Sequence, residues 1–270
     1  MKEIKNLAVK PHASLKLVEI DPDNTLGRNK NDVENELVDL HSTLSQLQYR
    51  LYIENKKALL IILQGMDASG KDGTIKHVMS AFHPLGCRVE SFKVPTTEEL
   101  AYDFLWRIHK VVPRKGFVGV FNRSHYEDVI EVRVQNLAPR SVWSQRYDHI
   151  NQFEKILTLS DTKIIKFFLH ISKEEQKERL LERLSDPDKR WKVDEGDFTK
   201  RKKWGQYMKA YSDVLNRCSV ANAPWFVIPA NKKWFRNWVI SKIIVETLQE
   251  LNIKYPAHNY RKNKLIMLPP

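Results

Sequence analysis

Eleven consecutive residues, Gln64-Gly65-Met66-Asp67-Ala68-Ser69-Gly70-Lys71-Asp72-Gly73-Thr74, hold two glycines and a lysine in the spacing GxxxxGK. A loop of this kind between a buried strand and a helix turns successive backbone N–H groups into one concavity. The helix dipole and the lysine ammonium then add positive potential to the same place. Phosphate binding is the chemistry that follows. The chain has nine Gly in 270 residues, and three of them fall between Gly65 and Gly73, where random placement gives roughly 0.3. A glycine turn that only joins strand to helix, with Lys71 solvated, is the weaker reading.

Gly65, Met66, Ala68, Ser69, Gly70, Asp72, Gly73 and Thr74 line the expected nest, with Asp72 serving as a first-turn partner of the helix dipole. Asp72 also stands where a P-loop usually places a hydroxyl ligand for magnesium, and Thr74 lies close by. Asp67 is unusual in an anion nest, because substrate would repel it unless a cation lay between them. It argues for Mg2+, with Mn2+ as an alternative, and for a role in positioning phosphoryl groups. An Asx turn that stabilises the loop is the other explanation.

A second constellation, Asn122-Arg123-Ser124-His125-Tyr126-Glu127-Asp128, follows the apolar segment Phe117 to Phe121. Ligands of open α/β sheets gather at the carboxyl ends of the strands, so this segment should face the glycine loop. Arg123 suits bidentate contact with phosphate and stabilisation of transferring charge, against the plainer alternative of an ion pair with Glu127 or Asp128. Glu127 and Asp128 are candidates to hold metal, whereas His125 reads as a satisfied histidine and not as a base. A third segment is densely charged but nearly balanced: residues 173 to 205 hold eleven Lys or Arg and nine Asp or Glu. It suits a lid over about 183–205 that closes cations, among them Arg183, Lys189 and Lys192, over a polyanion and excludes water. The bland alternative is a solvated helical face.

Hydrophobic spacing shows which elements must position these residues. Leu37, Leu40, Leu44, Leu47 and Leu51 predict a helix from Val33 to about Ile53, and the unbroken apolar run Ala58 to Leu63 predicts a strand covered on both faces. Further helices are predicted over 74–82, 98–110, 143–159, 173–184, 198–217 and 233–251, and further strands over 88–94, 117–121, 163–170 and 225–228. Strands alternating with helices predict a doubly wound α/β fold with a parallel central sheet. Residues 1 to about 30 are expected to form an arm that lies on a neighbour or stays mobile, and 1–270 to form a single domain.

Composition excludes several classes. The chain has 45 Lys and Arg against 33 Asp and Glu, a net charge of +12, and its longest apolar run is six residues, whereas a membrane-spanning helix needs about 20. No membrane partner is expected, the first residues do not read as a secretory signal, and the cytoplasm is the default location. Cys87 and Cys218 lack disulfide or zinc spacing and read as core thiols. The positive excess calls for an anionic partner. Nucleic acid is not expected, because no zinc-finger spacing or RNP-type aromatic motif is present and Lys200-Arg201-Lys202-Lys203 is too short to decide.

Taken together, the stretches GMDASGKDGTIKHV, ELAYDFLWRIHK, GVFNRSHYEDV and DPDKRWK resemble the polyphosphate kinase 2 family over roughly Asn31 to Trp238. The resemblance implies a three-layer, thymidylate-kinase-like P-loop kinase fold with a helical lid. It implies Mg2+-dependent phosphoryl transfer between inorganic polyphosphate and an adenine or guanine nucleotide. It marks Asp67 and Lys71 as essential, Arg123 as the arginine after the second strand end, and Arg183 as the lid arginine. Many members have Asp where this chain has Asn122, which leaves Glu127 and Asp128 as candidates for the second metal-binding carboxylate. The NRSHYED form resembles the subgroup that accepts both nucleoside mono- and diphosphates. A homo-oligomer is expected, with the N-terminal helix and seven Trp available for a subunit contact that core packing explains equally well. The rival readings are an ATP-dependent nucleoside monophosphate kinase and, from another class, a nucleic-acid-binding P-loop protein.

Overall fold

The computed structural model of the chain describes residues 2–256, so the ends of the expected domain, residue 1 and residues 257–270, lie outside the described residues. Five parallel strands pair in the order β2-β3-β1-β4-β5. They are β1 Ala58–Gln64, β2 Cys87–Ser91, β3 Val118–Asn122, β4 Thr162–His170 and β5 Trp225–Pro229. Every residue of β1 is buried, which is why its sequence shows no polar alternation: helices cover both faces. The strand's period of two divides it between two cores. Leu59, Ile61 and Leu63 join one, and Leu60 and Ile62 join the other.

The helices in chain order are α1 Lys2–Lys5, α2 Lys30–Glu54, α3 Lys71–Val78, α4 Thr97–Leu100, α5 Trp106–His109 and α6 Glu127–Val134. They continue with α7 Arg140–Trp143, α8 Arg146–Leu159, α9 Lys173–Ser185, α10 Glu195–Lys202, α11 Trp204–Cys218 and α12 Lys233–Glu250. Leu44 of α2, Val78 of α3 and Ile244 of α12 pack on the first face of the sheet. Ile130 of α6, Phe153 of α8 and Tyr211 of α11 pack on the second. The long α2 starts where the Asn29 side chain accepts a hydrogen bond from the Asp32 amide and stops at Asn55, whose backbone is left-handed.

Three helices expected as single pieces are divided. The segment 98–110 forms α4 and α5: a Thr96–Glu99 capping box sets the start of α4, and the Asp103 carboxylate accepts from the Leu105 amide and turns the chain between them. The 143–159 segment begins instead at Arg146, after the separate turn α7, and the 198–217 segment breaks at Lys203 into α10 and α11. Helix α6 was not foreseen at all, because Glu127, Asp128 and Glu131 interrupt the apolar set Val129, Ile130 and Val134 that faces the core.

The N-terminal segment lies on the chain's own body. The Val9 amide donates to Trp225 O at 2.8 Å and the Val227 amide to Leu7 O at 2.9 Å, so the arm covers the outer edge of β5. Farther along, Leu15 exchanges two hydrogen bonds with the Asn216 side chain, and Leu17 is buried. Among the described residues no helix is long and apolar enough to cross a membrane. Cys87 and Cys218 are both free, and Cys218 is buried.

Candidate active site

The glycine loop runs from the end of β1 to the start of α3, as its sequence requires. Gly70 is the cap of α3 with φ near +103°, and a Cβ at Gly65 would meet Ser69 Oγ at 2.7 Å and Leu169 O at 2.8 Å. Lys71 is buried and folds back over the loop, where its Nζ donates to Gly65 O at 2.8 Å and Met66 O at 3.1 Å. Burial, followed by repulsion from Arg123, lowers its pKa to about 8. Ser69 Oγ is buried with no hydrogen-bond partner. The Thr74 hydroxyl, close to the position that lacks the usual magnesium ligand, donates to Gly70 O within its own helix at 3.1 Å.

The end of β3 comes to the same point. The Arg123 amide donates to Leu63 O at 3.0 Å, which ties the two loops together at the ends of adjacent strands. Arg123 has a left-handed backbone, φ +63°, as does Ala68 in the glycine loop, φ +62°. Such conformations cost energy in a residue with a side chain and persist only where surrounding structure fixes them. Arg123 Nη2 donates to Asp67 and its Nη1 to Glu127 at 3.4 Å, so one guanidinium is divided between two carboxylates. Burial alone would raise the Asp67 pKa, but Arg123, then Lys71 and Lys200, hold it below the usual value. The Arg123 guanidinium is in turn held charged, its burial outweighed by Glu127 and Asp67. Gln64 Nε2 donates to Glu127 at 2.9 Å, and Asn122 Nδ2 donates to Asp72 at 3.0 Å.

Asp128, the other carboxylate considered for metal, is not brought to Asp67. Adjacent residues on a helix point about 100° apart, and Asp128 faces Arg107 and Arg146, each at 3.5 Å. Burial, offset only in part by those arginines, pushes its carboxyl up to about 6. His125 is fully buried, with Nε2 3.3 Å from Glu154, and belongs to the core beneath the loop.

Of the expected lid cations, Lys192 reaches the loop, 3.5 Å from Asp72. Arg183 donates to Asp197 of α10 at 2.9 Å, and Lys189 pairs with Glu182 and Asp186 at the surface, both at 2.7 Å. Neither touches the nest in this arrangement.

Several side chains at the site left no signal in the spacing of the sequence. Lys200 of α10 lies 3.7 Å from Asp67 and 2.8 Å from Glu131. Asp197 sits against Asp67, and burial followed by that charge pushes its carboxyl up to about 6. Gln176 Nε2 donates to Asp67 O at 3.0 Å, and Arg179 Nη1 donates to Ala68 O and Ser69 O, both at 3.0 Å. Arg179 could have been read only as the i,i+4 partner of Glu175, a contact it does make at 2.7 Å.

Among the described residues no three His, Cys, Asp or Glu side chains gather as a ready-made metal cage. Asp67 and Glu127, two hard oxygen donors on either side of Arg123, instead form a partial set. That set fits Mg2+, which commonly takes one or two carboxylates and completes its shell with water and phosphate oxygens.

Comparison with known proteins gives the family. The family profile described as Polyphosphate kinase 2 (PPK2) matches residues 27–256. The chain is 48% identical over 266 residues to the AMP/ADP-polyphosphate phosphotransferase of Meiothermus ruber, covering 98% of this chain and 100% of the relative. It is 42% identical to the ADP-polyphosphate phosphotransferase of Rhodopseudomonas palustris, covering 83% and 82%. The crystal structure of polyphosphate kinase 2 from Arthrobacter aurescens TC1 superposes with a TM-score of 0.89 at 41% identity, covering 94% of each chain. With a phosphate-type glycine loop, a strand-end arginine facing it and a matching profile across the fold, the chain belongs to the polyphosphate kinase 2 family.

Proposed function

We propose that this chain transfers the terminal phosphoryl group of inorganic polyphosphate to AMP and ADP, reversibly and with Mg2+. The names of its relatives support the substrates. The observation that carries the chemistry is the convergence of Arg123, Lys71 and Lys200 on Asp67 at the mouth of the glycine loop.

In this reading a terminal phosphate oxygen of the nucleotide attacks the end phosphorus of the polymer. A new P–O–P bond forms, and the old anhydride breaks toward the shortened polyphosphate, which keeps the electron pair. The nucleophile is already ionised at neutral pH, so no general base is required, and catalysis consists of positioning and charge stabilisation. Loop amides and Lys71 hold the donor end, while Arg123 faces the acceptor and the equatorial oxygens. Residues 183–205 act as the lid that lowers Lys192 and Lys200 toward the anions. Asp67 and Glu127 would hold Mg2+, which would supply neutralisation of the phosphate charge.

The test is product formation from AMP or ADP with Mg2+, with and without polyphosphate, and separately with ATP as donor. Polymer-dependent formation of ADP and ATP is expected. Transfer from ATP to AMP that ignores the polymer would replace this reading with a nucleoside monophosphate kinase. In the same assay Lys71→Ala and Arg123→Ala, checked for folding, are expected to lower kcat/KM by about three orders of magnitude. Near-normal activity in either removes that residue from the mechanism. GMP and GDP in place of the adenine nucleotides measure base selectivity.

A further inference from the structure

Arg236, in the first turn of α12, is 2% exposed and makes no ion pair among the described residues. Among the described residues its side chain donates only to Asn237 Oδ1, from Nε at 3.2 Å and from Nη2 at 2.8 Å. The guanidinium lies against the start of the P-loop helix. A Cβ at Gly70 would collide with Nη1, and a Cβ at Gly73 would stand 3.1 Å from Nη2. Another cation, Arg179, adjoins it, with its Nη1 3.6 Å from that same Gly70 position.

Three features of this placement are unfavourable for an isolated protein. The charge is buried without a counter-ion, it sits at the positive end of a helix, and it adjoins a like charge. Arg179 is different, because its donors are used on Glu175, Ala68 O, Ser69 O, Ala230 O and Asn231 O, so it clamps the loop in place. Arg236 has N–H groups to spare. Burial, then Arg179, lowers its pKa to about 10, so it remains charged at neutral pH. The missing partner is an anion.

Strand order says on which side that anion lies. Arg123 and Glu127 follow β3, on one flank of β1, whereas Arg179 follows β4 and Arg236 follows β5, on the other. On the β3 flank the cation is shared with Asp67 and Glu127, while among the described residues Arg236 faces the loop with no acid paired to it. We infer that Arg236, given the proposed reaction, binds the donor polyphosphate just beyond the phosphoryl group being transferred. The polymer then leaves the nest on the β4–β5 flank, and the nucleotide enters on the β3 flank.

Arg236→Gln and Arg236→Lys test this in the full chain. For the glutamine variant the KM and the calorimetric Kd for polyphosphate of defined length are expected to rise about tenfold or more, as loss of a charge-assisted contact implies, with the KM for ADP within about twofold. The slope of log affinity against log salt concentration should fall by about one. The lysine variant should recover part of the affinity, and if glutamine prevents folding the lysine variant alone carries the same comparison. Unchanged polyphosphate affinity, a raised KM for ADP instead, or parallel loss for both substrates with a lower unfolding temperature each overturns the assignment. A wild-type chain that ignores polyphosphate overturns the proposed reaction as well, whereas an active wild type beside an unaffected glutamine variant overturns only the role of Arg236.

Discussion

Lys71 is held between two loop carbonyls, and its pKa is lowered to about 8 by burial and by Arg123. A polyanion binds the protonated form better, so above pH 8 binding must take up a proton that the free protein has lost. Affinity for polyphosphate measured without metal should therefore weaken as pH rises past 8, by at most about tenfold per unit. Titrations at pH 7, 8 and 9 read this directly, and the step should vanish in Lys71→Met. A profile equally flat in the wild type would mean that Lys71 does not set the charge of the nest. At this scale the sequence is legible where chemistry depends on spacing along the chain, as in Gly65 to Lys71. Lys200 and Arg236 reach the loop from more than a hundred positions away, and folding alone brings them there.

Elements are coupled beneath the site by a buried polar cluster. Lys166 of β4 donates to Glu154 of α8, to Tyr126 Oη at 2.9 Å and to Cys218 O at 2.8 Å, and Glu154 also accepts from Tyr126 at 2.8 Å. Burial alone would raise the Glu154 pKa, but Lys166 and then His125 keep it below the usual range, so it remains ionised. Tyr126 immediately precedes α6, so the cluster fixes the turn that presents Arg123 and Glu127. Lys166→Met leaves a buried carboxylate unpaired and is expected to cost about 3–5 kcal/mol in urea unfolding. Lys166→Met combined with Glu154→Gln should recover most of it. A loss of under about 1 kcal/mol in the single variant would show that water or rearrangement supplies another partner. The strands and the long helices α2, α9 and α12 were legible from hydrophobic period. The breaks at Asp103 and Lys203 depend on local side-chain bonds and turns that period does not record, and α6 was masked by the acids it carries to the site.

Across the whole molecule the net charge of +12 acts on a long polyanion more than on a compact nucleotide. The KM for polyphosphate should rise with KCl between 50 and 300 mM more steeply than the KM for ADP, because screening weakens each of many contacts. Equal salt dependence for the two substrates would place the binding energy in local contacts alone. The parallel sheet and its two helical layers are readable from the order of elements, whereas the first residues, expected to lie on a neighbour or stay mobile, lodge against β5 of the same chain, a placement that nothing periodic in the segment marks.

That lodging gives the sheet unequal borders. The far side of β5 is occupied by the protein's own leading segment, while among the described residues β2 has β3 on one side only and carries the charged residues Arg88 and Glu90 within five residues. Among those residues, strand-by-strand templating can thus begin at one margin only. Two molecules joined there would bury both open margins and leave nowhere for a third to attach, so accretion of the folded form by this route ends at a pair.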